Sequence, residues 1–424
     1  MNGTHPRRVT SKRPRPRRYA HFDTPLNEKA LATFKVSADE VATRSFLPLL
    51  GYTKVERRMD FSGDFPALAP KERQIRYAGH ADSAIYSLYA ADLAKLYDAE
   101  LQRRGLGGVV LAYRSGIGNN VNFAKSLFDE VIERGDCVVV CLDVSKFFDN
   151  ISHAILKANL IGLLGGSKLP KDWLKIFIRL SNYEYVTKED LGPVVGKIRK
   201  RHICDVETFR TKVRPLIKKH GADHGIPQGT PLSGLFANIS MLGLDEHAHR
   251  VMTDLGGSYR RYSDDIALVF PDAAQVASAM DGITQALLEH HLAINEKKTC
   301  TSHVQQVGTM QTVTGDDLQY LGFTYDGRRI LVRPGSMTNF YAQMKRGIRQ
   351  YIKGAKKKGV AADAIRKRVP IGRFTHWGDD RNFVQYVYKA SEIMKSPEMK
   401  RQLRRHVPIF DRQWAKMMTK YYGV

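Results

Sequence analysis

Cysteine is scarce in this sequence and long apolar runs are absent, and both facts exclude classes of protein. The cysteines among the 424 residues have spacings that match neither a zinc site nor a disulfide framework: Cys137, Cys141, Cys204 and Cys300. We therefore expect small buried residues in a reducing, cytoplasmic compartment. No stretch approaches the roughly 18 apolar residues that a membrane span requires, so we expect no membrane partner.

Acidic residues are missing from one end of the chain and scarce at the other. Residues 1–18 carry seven Lys and Arg and no acid, and residues 341–424 carry 21 Lys and Arg against six Asp and Glu. The net charge of +24 therefore lies at the two ends, around a nearly neutral middle. One basic run is usually only a solvated surface. Two segregated blocks favour binding to the phosphate backbone of a nucleic acid.

The first half of the chain has mixed patterns. Residues 1–22 are basic and lack apolar periodicity, which predicts a disordered arm. A basic extended segment that starts at Pro70 runs into a helix reaching about Glu100. Residues 137–142 are apolar and rich in β-branched side chains, which is typical of a buried strand.

The second half begins with a helix signal and a hairpin signal. Thr230 followed by Pro231 predicts the start of a helix that ends near His249. Two strand-like runs, 259–262 and 266–270, flank a short acidic turn. Amphipathic helices follow after Asp272 and after Gly335, the latter with one apolar face: Phe340, Met344, Ile348 and Ile352.

Two acidic sites carry the candidate chemistry. Asp143 closes the strand predicted at 137–142, and Asp264 and Asp265 lie in the turn of the hairpin. The three carboxylates can converge only if these strands are neighbours in one sheet. Grouped carboxylates bind two hard divalent cations, which stabilise the attacking and leaving oxygens of an in-line displacement at phosphorus. In isolation, however, an Asp pair in a turn is usually only a turn.

Six segments in a fixed order favour the catalytic interpretation. They are KERQI (71–75), CLDVSKFFDNI (141–151), GIPQGTPLSGLFAN (225–238), RYSDDIALV (261–269), LAINEKKT (292–299) and LQYLGF (318–323). They resemble the fingers motif and motifs A to E of the reverse transcriptase family, and they occur in the family's order. The resemblance implies an RNA-directed DNA polymerase that makes DNA from dNTPs on an RNA template.

The resemblance also implies a fold and its subdivision. The fold class is α+β, a right-hand polymerase with fingers, an antiparallel-sheet palm and a helical thumb. Along the chain we expect the basic arm at 1–22, fingers at 23–135, a palm with an interleaved fingers segment at 136–335, and a basic helical thumb at 336–424.

Matching residues acquire metal-binding roles from this resemblance. Asp143 and Asp264 would ligate two Mg²⁺ ions, with Mn²⁺ as an alternative cation. Asp265 would be a weaker or outer ligand, and the Val144 carbonyl would complete one metal site.

Other matching residues would bind the nucleotide. Arg73, helped by Lys71, would clamp the triphosphate with its fork of donors; the alternative is an exposed basic loop. Gln228 would touch the incoming sugar, and Gly229 would leave room for backbone near the nucleotide.

Two further roles come with alternatives. Lys298 would protonate the leaving pyrophosphate, with the adjacent Lys297 as the alternative register. Tyr320 and Gly322 would hold the primer end, or would only pack an ordinary hairpin.

Phe148 decides between an RNA and a DNA product. It lies five residues after Asp143, where the family places its steric gate, and an aromatic ring there would exclude a 2′-hydroxyl by clash. Its neighbour Phe147 is expected in the core, because adjacent residues of a strand face opposite sides.

Within the family, the chain is most similar to bacterial defence-associated "unknown group" enzymes, type 2 systems. The similarity rests on RRYAHFDTPL (17–26), IRYAGHADSAIYSLYAADL (75–93) and VLAYR (110–114). It implies a cognate structured non-coding RNA as template and a role in anti-phage defence. Retron enzymes are similar in size, but their VTG signature follows motif E, whereas VTG (313–315) precedes it here.

Two other functions stay open. One is a catalytically silent RNA-binding protein, and the other is an enzyme of the same fold that adds nucleotides without copying or primes from its own side chain. The sequence leaves open the template, the primer, the oligomeric state and the trigger of activity.

Overall fold

The computed structural model describes residues 15–60, 67–196, 198, 201–365, 371–377 and 382–424. The first part of the chain holds α1 (Glu28–Ala32), α2 (Ala38–Thr43), β1 (Leu49–Asp60), β2 (Ala67–Tyr77), α3 (His80–Arg103) and α4 (Asn120–Arg134). The middle begins with β3 (Cys137–Asp143), α5 (Phe147–Asn150), α6 (His153–Leu163), α7 (Lys171–Ser181), β4 (Glu184–Thr187), α8 (Lys188–Val195), α9 (Val206–Thr208) and β5 (Lys218–Lys219).

The second half continues this alternation and ends in helices. It holds α10 (Ser233–Ser240), α11 (Leu242–Asp254), β6 (Ser258–Tyr262), β7 (Asp265–Phe270), α12 (Val276–Glu289), β8 (Cys300–Val307), β9 (Met310–Gly315), β10 (Leu318–Tyr320), β11 (Phe323–Tyr325) and β12 (Ile330–Val332). The last elements are α13 (Pro334–Lys357), α14 (Ala362–Ile365), α15 (Phe383–Ile393), α16 (Pro397–Gln402) and α17 (His406–Tyr422). Short 3₁₀ and π segments connect some of them: Phe209–Val213, Arg214–Leu216, Ala273–Gln275, Glu296–Lys298 and Ile371–Arg373.

Five antiparallel strands form the central sheet, in the order β6-β7-β3-β8-β9. The strands predicted at 137–142, 259–262 and 266–270 are confirmed to within one residue. Strand β3 is in the middle of the sheet, and alternate side chains enter two separate cores. Because both faces are covered, its sequence is apolar throughout rather than alternating. The α+β class with an antiparallel central sheet is confirmed.

Helix α4 packs on the face of this sheet to which Val139 points. Its buried residues Val121, Leu127 and Phe128 share a core with Val139 and with the C-terminal helices. One hydrophobic core therefore includes residues on both sides of residue 135, where we expected the fingers to end.

A second sheet, β2-β1-β4-β5, joins the first strands to a much later segment. Strand β1 pairs antiparallel with β2 and parallel with β4. That this later segment is the interleaved fingers segment expected within 136–335 stays a prediction.

The predicted arm is too long at its C-terminal end. His21 is fully buried, and Phe22 packs with Leu50, Tyr77 and Val186. The aromatic and apolar side chains after Arg18 therefore belong to the folded unit, because they complete the core of the second sheet. Residues 1–14 lie outside the described residues.

The C-terminal region packs a three-stranded sheet, β10-β11-β12, against helices. Helix α13 begins at Pro334, and its predicted apolar face is buried: Phe340, Met344, Ile348 and Ile352. Within the described parts of the chain, no helix combines the length and apolarity needed to cross a bilayer.

The helix predicted from Thr230 to His249 is wrong in detail. The chain makes a turn at Thr230, whose hydroxyl lies 2.6 Å from that of Ser233, and the Ser233 hydroxyl donates to the Pro227 carbonyl at 2.5 Å. The helix therefore begins only at Ser233. It is interrupted at Met241 and ends at Asp254.

The expectation of buried cysteines holds for one of the four. Cys137 is buried, whereas Cys141, Cys204 and Cys300 are half-buried. Cys141 and Cys300 are directly opposite each other on β3 and β8.

Candidate active site

The acidic hairpin and the acidic strand end are neighbours. Strand β3 pairs with β7 so that Asp143 lies directly opposite Asp265. Opposed Cα atoms in an antiparallel pair are about 4.5–5.5 Å apart. Tyr262 pairs with Asp265, which leaves a two-residue loop of Ser263 and Asp264. The condition for convergence of the three carboxylates is therefore met.

A buried ion pair fixes this loop from behind. Arg261 and Asp245 are both fully buried, and the guanidinium donates to both carboxylate oxygens at 2.6 Å. Arg261 also donates to the Ser263 carbonyl at 3.1 Å, and Tyr259 donates to Asp245 at 2.6 Å. The loop needs such support because Ser263 has a φ of 62°, which is unusual without glycine.

Sequence reasoning missed this pair. Arg261 lies inside a motif chosen for its acids, and Asp245 is 16 residues earlier on α11. The available signal was the alternation along β6, which puts Arg261 on the same buried face as Tyr259, since a buried arginine requires an acidic partner.

A third segment, from the turn after α12, completes the strand end. Asn295 donates from its backbone to the Asp143 carbonyl at 2.8 Å and from its side chain to the Asp143 carboxylate at 3.3 Å. The Val144 N–H donates to the Asp264 carbonyl at 3.0 Å. Since the N–H and C=O of one extended residue point to the same edge, the Val144 carbonyl faces the hairpin loop.

Lys298 lies against the carboxylates. Its ammonium is 2.5 Å from the Asp143 carboxylate, and its side chain is 45% exposed. Of the two lysines considered, the 3₁₀ turn Glu296–Lys298 directs this one to the site. Such an exposed pair is weak and can exchange its partner.

The acids perturb one another. Burial of its carboxylate raises the pKa of Asp265 to about 7, and the negative charges of Asp264 and Asp143 contribute, against the opposing effects of Lys298 and Arg333. The residue as a whole still borders solvent. Crowded carboxylates that hold a proton near neutral pH are suited to exchange it for a cation.

Divalent cations fit this donor set. Among the described residues, no three Asp, Glu, His or Cys side chains already form a closed cage. Mg²⁺ does not require one, because it is usually bound by one or two carboxylates together with waters and substrate phosphates. The Asp143 carboxylate, which already holds the Lys298 ammonium, shows that a cation is favoured here.

The residue expected to act as the steric gate lies in the short helix that follows β3. Phe148 is half-buried in the single helical turn α5, and its ring meets Phe147 edge-on at 5.5 Å. Phe147 is 3% exposed, as expected for a core residue, although the two rings diverge on a helical turn and not on a strand.

Strand β2 is joined to the turn at Gln228. The backbone N–H of Arg76 donates to the Gln228 carbonyl at 2.8 Å, and Ile75 forms a bridge with Gln228. A Cβ on Gly229 would lie 2.8 Å from the Arg76 carbonyl, and its φ of 124° favours glycine. The close approach that Gly229 allows is thus to β2, in addition to any approach to a nucleotide.

Lys71 and Arg73 share one face of β2, since side chains alternate along a strand. The Arg73 guanidinium lies 3.9 Å from the Glu56 carboxylate of β1, so this ion pair is formed within the same sheet. They are on a regular strand and not on the exposed loop considered as the alternative.

Tyr320 and Gly322 differ in exposure. Tyr320 is 3% exposed in β10, and its hydroxyl has no hydrogen-bond partner among the described residues. Gly322 forms the tight turn into β11 with a φ of 95° and open space around it. This favours hairpin packing for Tyr320 and leaves Gly322 at an accessible turn.

Comparison with known proteins gives a consistent family. Residues 115–325 match the model of the family "Reverse transcriptase (RNA-dependent DNA polymerase)". The Retron Ec86 reverse transcriptase of Escherichia coli is 35% identical over 77 residues, which is 18% of this chain and 24% of that protein. The matched part is thus about a quarter of the curated relative.

The solved structures that the chain matches include two telomerases from Candida species, both at a TM-score below 0.5. A truncated apo telomerase from Candida tropicalis is 12% identical, with a TM-score of 0.44 over 66% of this chain and 53% of that one. Telomerase from Candida albicans, solved with a fragment of telomeric RNA, is 13% identical, with a TM-score of 0.42 over 91% of this chain and 63% of that one. The family match over residues 115–325 spans every element that carries the acidic cluster, and this chain belongs to the reverse transcriptase family.

Proposed function

We propose that the protein is an RNA-directed DNA polymerase that copies an RNA template by two-metal nucleotidyl transfer. The observation that carries the proposal is the pairing of Asp143 with Asp265 across β3 and β7, with Asp264 in the adjoining loop. Three neighbouring carboxylates at one sheet edge repel one another, and a bound cation relieves this repulsion. Their position within the family domain supports polymerase chemistry.

Each residue at this edge has a part in the proposed reaction. Asp143 and Asp264 would hold the divalent cations, Asp265 would support them, and the Val144 carbonyl faces the same side. The bound cations would stabilise the attacking 3′-oxygen and the leaving pyrophosphate. With cations held by Asp143, the Lys298 ammonium would be free of this carboxylate and would serve as the proton donor for the pyrophosphate.

Nucleotide binding involves the neighbouring elements. Arg73 and Lys71 clamp the triphosphate from β2, and Gln228 contacts the sugar from the turn that β2 supports. Gly322 marks the turn near the primer end. The thumb's excess of positive charge holds the template–primer duplex.

Primer extension on a defined heteropolymeric RNA tests the proposal. We expect a DNA product complementary to the template, dependent on Mg²⁺, with Mn²⁺ as an alternative. Sequencing the product separates copying from untemplated addition, and a product attached to protein would indicate priming from a side chain. No product with any template and metal would favour the silent RNA-binding alternative.

The choice of DNA over RNA has a separate test at Phe148. The Phe148→Ala variant is expected to lower the ratio of kcat/KM for dNTP over rNTP, because discrimination by clash is relieved by truncation. A wild type that prefers ribonucleotides would contradict the DNA product itself.

We further propose a cytoplasmic enzyme whose template is a cognate structured non-coding RNA and whose role is anti-phage defence. Support comes from the sequence segments that resemble those of defence-associated enzymes and from four free cysteines. Sequencing the RNA and DNA that copurify with the protein is expected to give one abundant RNA and its complement. A phage challenge with an Asp264→Ala variant as control is expected to show protection only with the active enzyme.

A further inference from the structure

Tyr113 lies in the connection between α3 and α4, next to the acidic loop. It has a φ of 58°, a conformation that costs free energy for an aromatic residue. Its side chain is 51% exposed. A strained, half-exposed tyrosine beside a site indicates that the surroundings fix its direction.

The backbone around Tyr113 is held by the buried network that also holds the acidic loop. Asn238 donates to the Ala112 carbonyl at 2.8 Å and accepts from Arg261 at 3.1 Å. The Leu111 N–H donates to the Arg261 carbonyl at 2.9 Å. Tyr113 and the loop therefore share one rigid support.

The side chain of Tyr113 contacts three neighbouring residues. Its hydroxyl lies 3.0 Å from the hydroxyl of Ser263, and its ring meets Phe148 edge-on at 6.3 Å and 86°. A Cβ on Gly234 would lie 2.5 Å from the ring, so glycine at that position makes the space for it. Burial of the phenol raises the pKa of Tyr113, against the hydrogen bond of Ser263, and the charge of Asp264 raises it further.

Phe148 is thus braced on two sides. Phe147 supports it from the core, and Tyr113 supports it from the side of the acidic loop. Exclusion of a hydroxyl by steric clash requires a stiff wall, because a free ring rotates away at little cost.

We propose that Tyr113 is a positioning residue for sugar selection: it holds Phe148 in the gate position and links the gate to Ser263 in the loop that carries Asp264. The proposal rests on the proposed function, since it requires a nucleotide sugar at Phe148. Ring and hydroxyl have separate tasks, the ring in bracing Phe148 and the hydroxyl in tying the gate to the loop.

The test is the dNTP over rNTP ratio of kcat/KM in primer extension by the full-length chain. Tyr113→Ala is expected to lower the ratio about tenfold or more, the scale on which an apolar pocket discriminates one small group. Tyr113→Phe keeps the ring and is expected to retain the ratio while lowering kcat for both substrates. Leu288→Ala, similarly exposed on α12, is the control.

A double-mutant cycle distinguishes positioning from general damage. In the Phe148→Ala background, Tyr113→Ala is expected to change the ratio no further, because its effect passes through Phe148. Gly234→Ala is expected to lower the ratio by displacing the ring, and to have no added effect when Tyr113 is already Ala. Tyr113→Asn, which tolerates the left-handed conformation, replaces Ala if the latter does not fold.

Two failures are distinguishable. An inactive wild type contradicts the proposed function. A wild type that prefers dNTPs, with a ratio unmoved by Tyr113→Ala or Tyr113→Asn, leaves that function intact and overturns the role of Tyr113, as does full additivity with Phe148→Ala.

Discussion

Two ion pairs, each with one residue on the central sheet, differ in how far they are exposed to solvent. Arg261 and Asp245 are both 0% exposed, and Asp245 accepts three hydrogen bonds of 2.6 Å. Lys298 and Asp143 are 45% and 19% exposed, and Asp143 is held by one ammonium and one amide. The first carboxylate is locked in place, whereas the second can exchange its partner.

The comparison teaches that neither residue type nor motif membership separates a structural acid from a reactive one. Arg261 lies within motif C, yet its partner Asp245 holds the loop and faces no solvent. Burial and the number of donors make the distinction. A saturated, buried carboxylate gains nothing from a metal ion, but an under-coordinated one at a sheet edge does.

The largest effect on activity is expected at the exposed acidic loop. Asp264→Ala with Asp265→Ala should reduce DNA synthesis below detection, by at least about 10³-fold, because the cations lose their ligands. Folding and RNA binding should be retained, since the acids repel one another without metal. Primer extension, circular dichroism and a filter-binding assay measure these. Residual extension by the double variant would show that the metal site is elsewhere.

Breaking the buried pair of Arg261 and Asp245 is expected to lower the stability of the fold. Asp245→Ala should lower the free energy of unfolding by about 3–5 kcal/mol, because it leaves the Arg261 guanidinium buried without a partner. Urea denaturation measures it. The matched control, Asp245→Leu with Arg261→Met, removes both charges and should recover most of the loss. A loss below about 1 kcal/mol for Asp245→Ala would mean that water reaches the pair.

An intermediate effect is expected for the partner of Asp143. Lys298→Ala should slow nucleotide addition by roughly 10²-fold, the lower range for loss of a general acid. Stability should change by less than about 1 kcal/mol, as for other exposed pairs. Lys297→Ala is the matched control, and single-turnover extension separates the two. A larger defect in the Lys297 variant would reverse the register.

Local patterns were enough to predict the parts of the fold that repeat with a fixed period. The predictions of the strand 137–142 and of the apolar face of α13 were correct, because burial that repeats every 2 or every 3.6 residues can be read without tertiary information. The carboxylates were identified by their positions at strand ends. The helix after Thr230 was misplaced because a side-chain hydrogen bond from Ser233 competed with helix initiation.

Contacts between distant segments could not be predicted in the same way. Asp245 and Arg261 are not adjacent on any local pattern, and Tyr113 reaches Ser263 across 150 residues of sequence. Gly234 lies in the first turn of α10, and only the ring of Tyr113 packed against it explains the glycine. Such pairings depend on which elements pack together, and one sequence does not encode that locally.

The smallest effect concerns pH and sharpens the contrast between a locked and an exchangeable acid. The pKa of Asp265 in the fold is about 7, against an ordinary value of 3.8, with burial as the main cause. The folded state therefore retains a proton that the unfolded state releases. Stability should fall as pH rises from about 4 to about 7, and the full penalty should be present above pH 7.

Asp265→Asn removes this penalty. In EDTA we expect the variant to be more stable than wild type by roughly 1 kcal/mol at pH 8 and equal to it at pH 4, less than full linkage because the side chain borders solvent. Excess Mg²⁺ should reverse the order at pH 8, since the cation stabilises only the folded protein that can bind it. Asp245→Asn, the locked counterpart, should be less stable than wild type at both pH values, with or without Mg²⁺. Thermal unfolding at the two pH values measures all four conditions, and a Mg²⁺-insensitive Asp265→Asn difference would show that this carboxylate, like Asp245, is not exchangeable.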